Sequence, residues 1–243
     1  MEYGEYFTIN RPRQFGKTTT LFMLDKALNL RDDYVAVKIS FEGIDSDAYQ
    51  HPERFIMEFL ILIAHRLEFL KFSVLSQFVE KHRSEITNLP ALSRFITKLV
   101  GTMPTKSWVL MIDEVDKSSN NQLFLDFLGL LRNKYLLRDD GEDTFQSIIL
   151  AGVHDIKTLR RKIRPDETSG YNSPWNIAVD FKVDLSFAPH EIDTMLQDYS
   201  IDKQIQLDIS AIAERLYYYT EGYPYLVSKL CKFIDEEIIP QSG

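Results

Sequence analysis

Short apolar runs alternate with longer stretches of helical spacing along this chain. Tyr6–Asn10 (YFTIN) reads as a strand, and Asp33–Phe41 (DYVAVKISF) as a second, since it alternates and is rich in β-branched and aromatic residues. After the polar turn EGIDSD, apolar residues from His51 to about Phe72 crowd most of a helical circumference, which predicts a helix packed on both sides. A further helix is predicted over Ser73–Ile86, and another opens at Pro90 and runs to about Val100 before Pro104. Trp108–Ile112 (WVLMI) is an unbroken apolar run of strand length, the mark of a strand covered on both faces. Gln122–Leu137 is an amphipathic helix, DDGED a solvated turn, and Ser147–Ala151 (SIILA) another buried strand.

A basic helix over Asp155–Arg164 then leads into a loop ending at SPW, and Ala178–Phe187 (AVDFKVDLSF) alternates as a strand should. Helices complete the pattern over Pro189 to about Tyr199, Ile209–Thr220, and Tyr223 to about Ile239. Strands separated by helices in this order predict an α/β domain over residues 1–187 with a mostly parallel sheet and helices on both faces. A small helical subdomain follows over 188–243.

Composition narrows the class without fixing it. With 243 residues, 44% hydrophobic and 26% charged, the chain is long enough for a large core and has the balance of an ordinary soluble globular protein. A net charge of -8 argues against a surface built as a whole for nucleic acid. The single cysteine, Cys231, excludes an intramolecular disulfide framework and fits a reducing compartment, so cytoplasm is the expected location. MEYGEYF lacks the basic and apolar regions of a signal peptide, and the longest apolar run, Phe59–Ala64, is too short to span a bilayer.

The chemistry is concentrated in RPRQFGKTTTL, Arg11–Leu21, which joins the first strand to a helix. A strand, a short loop with Gly-Lys-Thr, and a helix starting at the lysine form the phosphate-cradling arrangement of nucleoside triphosphatases. Gly16 lets the backbone approach an anion, and the first amides of the helix point at it with the positive end of the helix dipole behind them. Lys17 adds a mobile charge for the outer phosphates, and Thr18 a hydroxyl suited to Mg²⁺. Arg13, Gln14, Phe15 and Thr19 complete the expected nucleotide-binding stretch. One departure stands out: the usual pattern has glycine five residues before Gly16, where this chain has Arg11, and Pro12 pushes Arg11 toward extended geometry.

The partner of that loop is WVLMIDE. Ligands of a parallel sheet gather at the carboxyl ends of its strands, which puts Asp113 and Glu114 on the same edge as Gly16–Thr18. Asp113 is the expected anchor for Mg²⁺ and Glu114 the expected general base that orients and deprotonates water.

RPRQFGKTTTL, ISFEG, LMIDEVD, ILAGVHD, SPWNIA and TEGYPYLV together resemble the bacterial AAA-like domain family of P-loop ATPases, related to STAND and archaeal ATPases, over nearly the whole chain. The resemblance implies a five-stranded sheet of order 5-1-4-3-2, with an Arg-Pro-Arg opening in place of glycine as an ordinary variant. It implies that Gly222 and Pro224 form the Gly-x-Pro element of a helical lid that closes over the nucleotide. His154 falls where related enzymes keep a polar residue that senses the outer phosphate. The cluster Arg160, Arg161 and Arg164 could hold an arginine finger or simply be a solvated helix face, and Asp116 lies near the site without a fixed role. Effector regions that often follow such domains are not expected here, so any effector is missing or supplied by another protein; a protein effector or a homo-oligomer is the expected partner.

Two functions follow as expectations. One is Mg²⁺-dependent ATP hydrolysis that drives a conformational change, supported by Glu114. The other is an ATP-binding signalling or scaffold module with negligible turnover, favoured by the irregular loop opening and the lack of a firm arginine finger. Phosphoryl transfer to a small molecule is disfavoured, because a base directly after the Mg²⁺ aspartate suits water as acceptor.

Overall fold

Four apolar strands pair in parallel through the middle of the molecule: β1 Phe7–Asn10, β2 Tyr34–Ser40, β3 Ser107–Asp113 and β4 Ser147–Gly152. The computed structural model describes residues 4–115, 121–153, 177–180 and 183–239. β2 pairs with β3 from Tyr34↔Ser107 to Ser40↔Asp113, β3 with β4, and β4 with β1 from Phe7↔Ile149 to Asn10↔Gly152. This body of the sheet therefore has the order 1-4-3-2.

The fifth full-length strand expected over Ala178–Phe187 is corrected to two residues, Val179–Asp180 (β5), which pair in parallel with Phe7 and Thr8 on the outer side of β1. In this register β1, four residues long and ending at Asn10, is too short to pair a ten-residue strand. The Ser186 amide donates to Asp184 Oδ1 at 2.9 Å, and the Phe187 amide to the Gly222 carbonyl at 2.8 Å.

Both faces of the sheet are covered. Val35, Val37, Ile39, Leu110, Ile112, Ile148 and Leu150 join one core with α2 (Pro52–Phe69), α4 (Leu89–Gly101) and α5 (Gln122–Leu137). The alternate positions Ala36, Val109, Met111, Ile149 and Ala151 are buried as well, and α1 (Lys17–Asn29) lies against β2, β3 and β4. This is why the WVLMI run is apolar at every position rather than at every second one.

Helix ends depart from the pattern reading where the chain stops a helix without glycine. α2 ends at Phe69, short of Phe72, because Lys71 turns left-handed at φ +63° and the Phe72 amide reaches back to the Leu67 carbonyl at 2.9 Å. Its buried residues form one broad stripe from Phe55 to Leu67, packed on β2 and α3 (Ser73–His82), rather than two opposite faces. Behind α4 and α5, Lys134 is fully buried and donates to Thr97 Oγ1 at 2.6 Å and Glu142 Oε1 at 2.5 Å. The ammonium held against it draws the Glu142 carboxyl below the usual glutamate range.

The chain divides into two compact units. One runs to Arg11 and resumes at Lys17, while the other holds Pro12–Gly16 together with the C-terminal helices. These helices are α6 Pro189–Lys203, α7 Ile209–Thr220 and α8 Pro224–Phe233, followed by a wide turn over Ile234–Ile238. α6 extends past the expected Tyr199 to Lys203, where Gln204 turns it off at φ +55°. Their core is small: Ile192, Leu196, Ala213, Leu216 and Val227, with half-buried neighbours such as Phe187 and Leu230. At the surface, the Tyr199 hydroxyl donates to Asp235 Oδ1 at 2.6 Å, which pushes the phenol up to about 12 and draws the carboxyl down.

Candidate functional site

The backbone explains why an arginine stands where a glycine is usual. The Arg11 amide still donates to the Gly152 carbonyl at 3.2 Å, so the ladder of β1 and β4 continues one residue beyond Asn10. Pro12 favours that extended geometry in the residue before it. The left-handed turns come later, at Gln14 (φ +59°) and Gly16 (φ +78°). A Cβ at Gly16 would meet nothing within 4 Å, so glycine answers there to the backbone angle and leaves the space beside the loop open.

α1 begins immediately after, at Lys17, and no acidic residue in its first turn offsets the partial positive charge of its N-terminal end. Lys17 is buried, with Nζ donating to the Arg11 carbonyl at 3.1 Å. Thr18 Oγ1 donates to Asp113 Oδ2 at 2.7 Å, which joins the start of α1 to the carboxyl end of β3 across 95 positions of sequence. Thr19 is exposed one residue further on.

Asp113 is buried, and its second oxygen, Oδ1, accepts the Glu114 amide at 3.0 Å. Glu114 itself is half-buried and left-handed, at φ +55°. A glutamate gains nothing locally from that conformation, which costs about 1–2 kcal/mol for a residue with a Cβ. Such outliers gather at functional positions, where surrounding structure holds them. A hydroxyl and a carboxylate oxygen in direct contact, beside a lysine ammonium and the amide end of a helix, offer hard oxygen donors for a divalent cation and a cationic seat for phosphate. Among the described residues, no three His, Cys, Asp or Glu side chains gather as a metal site, so a cation here would rest on the Thr18–Asp113 pair and its ligand.

The remaining loop residues belong to the helical unit. The Phe15 ring stacks on Tyr223, with centroids 5.0 Å apart and planes 25° apart, and the Tyr223 hydroxyl donates to the Arg13 carbonyl. Tyr223 caps α8, whose first residue is Pro224. Gly222 has a packing reason of its own. Its φ is +75°, and a Cβ there would lie 2.0 Å from the Phe187 carbonyl oxygen. Within this unit, glycine is what allows the two backbones to meet.

The structure thus brings Lys17, Thr18 and Asp113 together, with Glu114 next in chain, and groups Arg13–Gly16 with the Gly222–Pro224 turn. His154, Asp116 and the cluster Arg160, Arg161 and Arg164 lie outside the described residues. Tyr223 was missed as a loop contact. Its only signal was a place inside the Gly-x-Pro element, and nothing local connects it to a residue 210 positions earlier.

The fold is α/β, a parallel sheet flanked by helices, and has likenesses among solved structures. The structure is similar to the Walker-type ATPase PABY2304 of Pyrococcus abyssi, with a TM-score of 0.56 and 15% identity over 96% of this chain and 63% of that one. It is also similar to the ADP form of the ORC2 protein of Aeropyrum pernix, with a TM-score of 0.50 and 12% identity over 95% of this chain and 58% of that one. The chain therefore spans about three-fifths of the length of these structures. No curated protein matches the sequence. The chain belongs to the AAA-like domain family, whose model matches residues 1–240.

Proposed function

We propose that this protein binds ATP with Mg²⁺ at the Lys17–Thr18–Asp113 site and hydrolyses it slowly to switch the conformation of its helical unit. The observation that carries the reading is the 2.7 Å contact between Thr18 Oγ1 and Asp113 Oδ2 beside a buried lysine at a helix start. The family and the fold support a nucleotide-binding, ATPase-like role in the same direction. Loop amides and Lys17 hold the phosphates, and Thr18 and Asp113 supply the oxygen donors for the cation. Bound there, Mg²⁺ neutralises charge on the outer phosphates. Glu114, placed directly after Asp113, orients the attacking water and takes its proton. In this reading Pro224 contributes to nucleotide binding and His154 senses the outer phosphate. The single cysteine supports a reducing, cytoplasmic setting.

Two variants test the two halves of the proposal. Lys17→Ala should abolish nucleotide binding measured by titration calorimetry, while Glu114→Gln should keep binding and lower steady-state phosphate release at least about 100-fold. Wild-type turnover should be slow, below about 1 per second. Binding without any difference in phosphate release between wild type and Glu114→Gln would leave the protein an ATP-binding module.

A further inference from the structure

Half of the phosphate loop is built into the sheet unit by covalent position and by Lys17 and Thr18. The other half, Pro12–Gly16, belongs to the helical unit, where one side chain, Tyr223, contacts it twice. Tyr223 uses both of its faculties. Its ring stacks on Phe15 at 5.0 Å, and its hydroxyl donates to the Arg13 carbonyl. A peptide group is planar and trans, so its carbonyl and the next amide point in opposite directions. With the Arg13 carbonyl turned to Tyr223, the Gln14 amide is turned away from it. The residue that follows that pinned plane is Gln14, which holds an unfavourable left-handed angle in a stretch that Gly16 leaves open beside it.

We infer that Tyr223 is a positioning residue for the phosphate loop. It engages a loop carbonyl, turns the Gln14 amide to the opposite side of that peptide plane, and holds Gln14 in a conformation the residue would otherwise leave. A stacked ring pair and one hydrogen bond are each of the size needed to offset one left-handed residue. The middle position of the Gly-Tyr-Pro turn therefore carries the link to the loop, while Gly222 serves the contact with Phe187 and Pro224 starts α8. Affinity gained in this way comes from order present before the ligand arrives. The part of the inference that concerns nucleotide rests on the ATP-binding reading; the part that concerns the loop does not.

The peptide bond after Arg13 is itself a trypsin site, and its carbonyl is the one Tyr223 holds. In nucleotide-free protein, Tyr223→Ala should raise the rate of cleavage between Arg13 and Gln14 about ten-fold, followed by mass spectrometry. Tyr223→Phe, which keeps the stack and loses the hydrogen bond, should raise it less, about three-fold. Tyr218→Phe, at an exposed tyrosine of α7, is the control and should change nothing. In the second arm, Tyr223→Ala should weaken ATP binding and raise KM about ten-fold with kcat nearly unchanged, and Tyr223→Phe should restore most of the loss. Cleavage after Arg13 at the wild-type rate in both Tyr223 variants overturns the inference. So does unchanged ATP affinity in a wild-type protein that binds ATP. Faster cleavage in a protein whose wild type binds no nucleotide upholds Tyr223 as the holder of the loop and instead removes the ATP-binding reading.

Discussion

In the sheet unit, Phe41 packs edge to face on Phe55, Phe59 and Phe124, and Phe127 joins Phe55 and Phe59, in one core shared by strands and three helices. The helical unit closes on Ile192, Leu196, Ala213, Leu216 and Val227, and leaves Tyr218, Tyr219 and Phe233 exposed. The first unit has apolar area to spare and can hold strained or buried polar residues such as Glu114 and Lys134. The second has little, so its geometry depends on individual contacts: a glycine where two backbones meet, and a tyrosine on a loop. A scaffold that must hold metal and phosphate donors in register gains from the first kind of packing. An element that must respond to a ligand gains from the second, because regions with few buried contacts open at low free energy.

The largest expected effect is in the aromatic core. Phe127→Ala should destabilise the sheet unit by about 3–5 kcal/mol, read from the urea midpoint, because the packed rings around it cannot collapse into the space. If the two units are as different as their cores suggest, hydrogen exchange in α7 and α8 should change far less than in β3 and β4.

Gly222→Ala reverses the pattern. A left-handed alanine with its Cβ 2.0 Å from the Phe187 oxygen should cost the helical unit more than about 2 kcal/mol. Amides of α7 and α8 should then exchange faster while the strands keep their protection. Equal loosening of both units would show that they unfold as one.

A smaller effect should come from the buried Lys134–Glu142 pair of the sheet unit. Lys134→Met removes the ammonium that donates to Glu142 and Thr97, while the Thr97 hydroxyl still donates to Glu142 Oε1 at 2.8 Å, and should cost about 1–3 kcal/mol. The pH dependence has a definite sign. The Glu142 carboxyl is drawn down in the folded state, so its contribution is present above the ordinary glutamate range and is lost as pH falls through the depressed value. Glu142→Gln should remove that part of the acid-side loss in thermal melts and leave the neutral-to-alkaline behaviour unchanged.

Much of this arrangement was legible along the chain. The unbroken WVLMI run, the β-branched Tyr34–Ser40 and the loop before Lys17 specify strands, sheet class and the edge that carries the candidate site, because burial on both faces and a glycine turn into a helix start each demand particular residue types in sequence. The carboxylates of Asp113 and Glu114 were legible for the same reason. Helix ends without glycine, at Lys71 and Gln204, were not, since nothing in their side chains announces a left-handed turn. The two-residue length of β5 was hidden too, because alternation over Ala178–Phe187 says nothing of the neighbour and register the strand will meet.

Sequence by itself determined that a lysine, a threonine and an acidic pair stand at strand ends of a parallel sheet, as local pattern and topology suffice for that. Only tertiary structure decided that Thr18 meets Asp113, that Arg11 remains in the ladder, and that Tyr223 holds the loop at Arg13 and Phe15. Those outcomes depend on distances between residues far apart in the chain, which packing of the whole fold sets and no local run encodes.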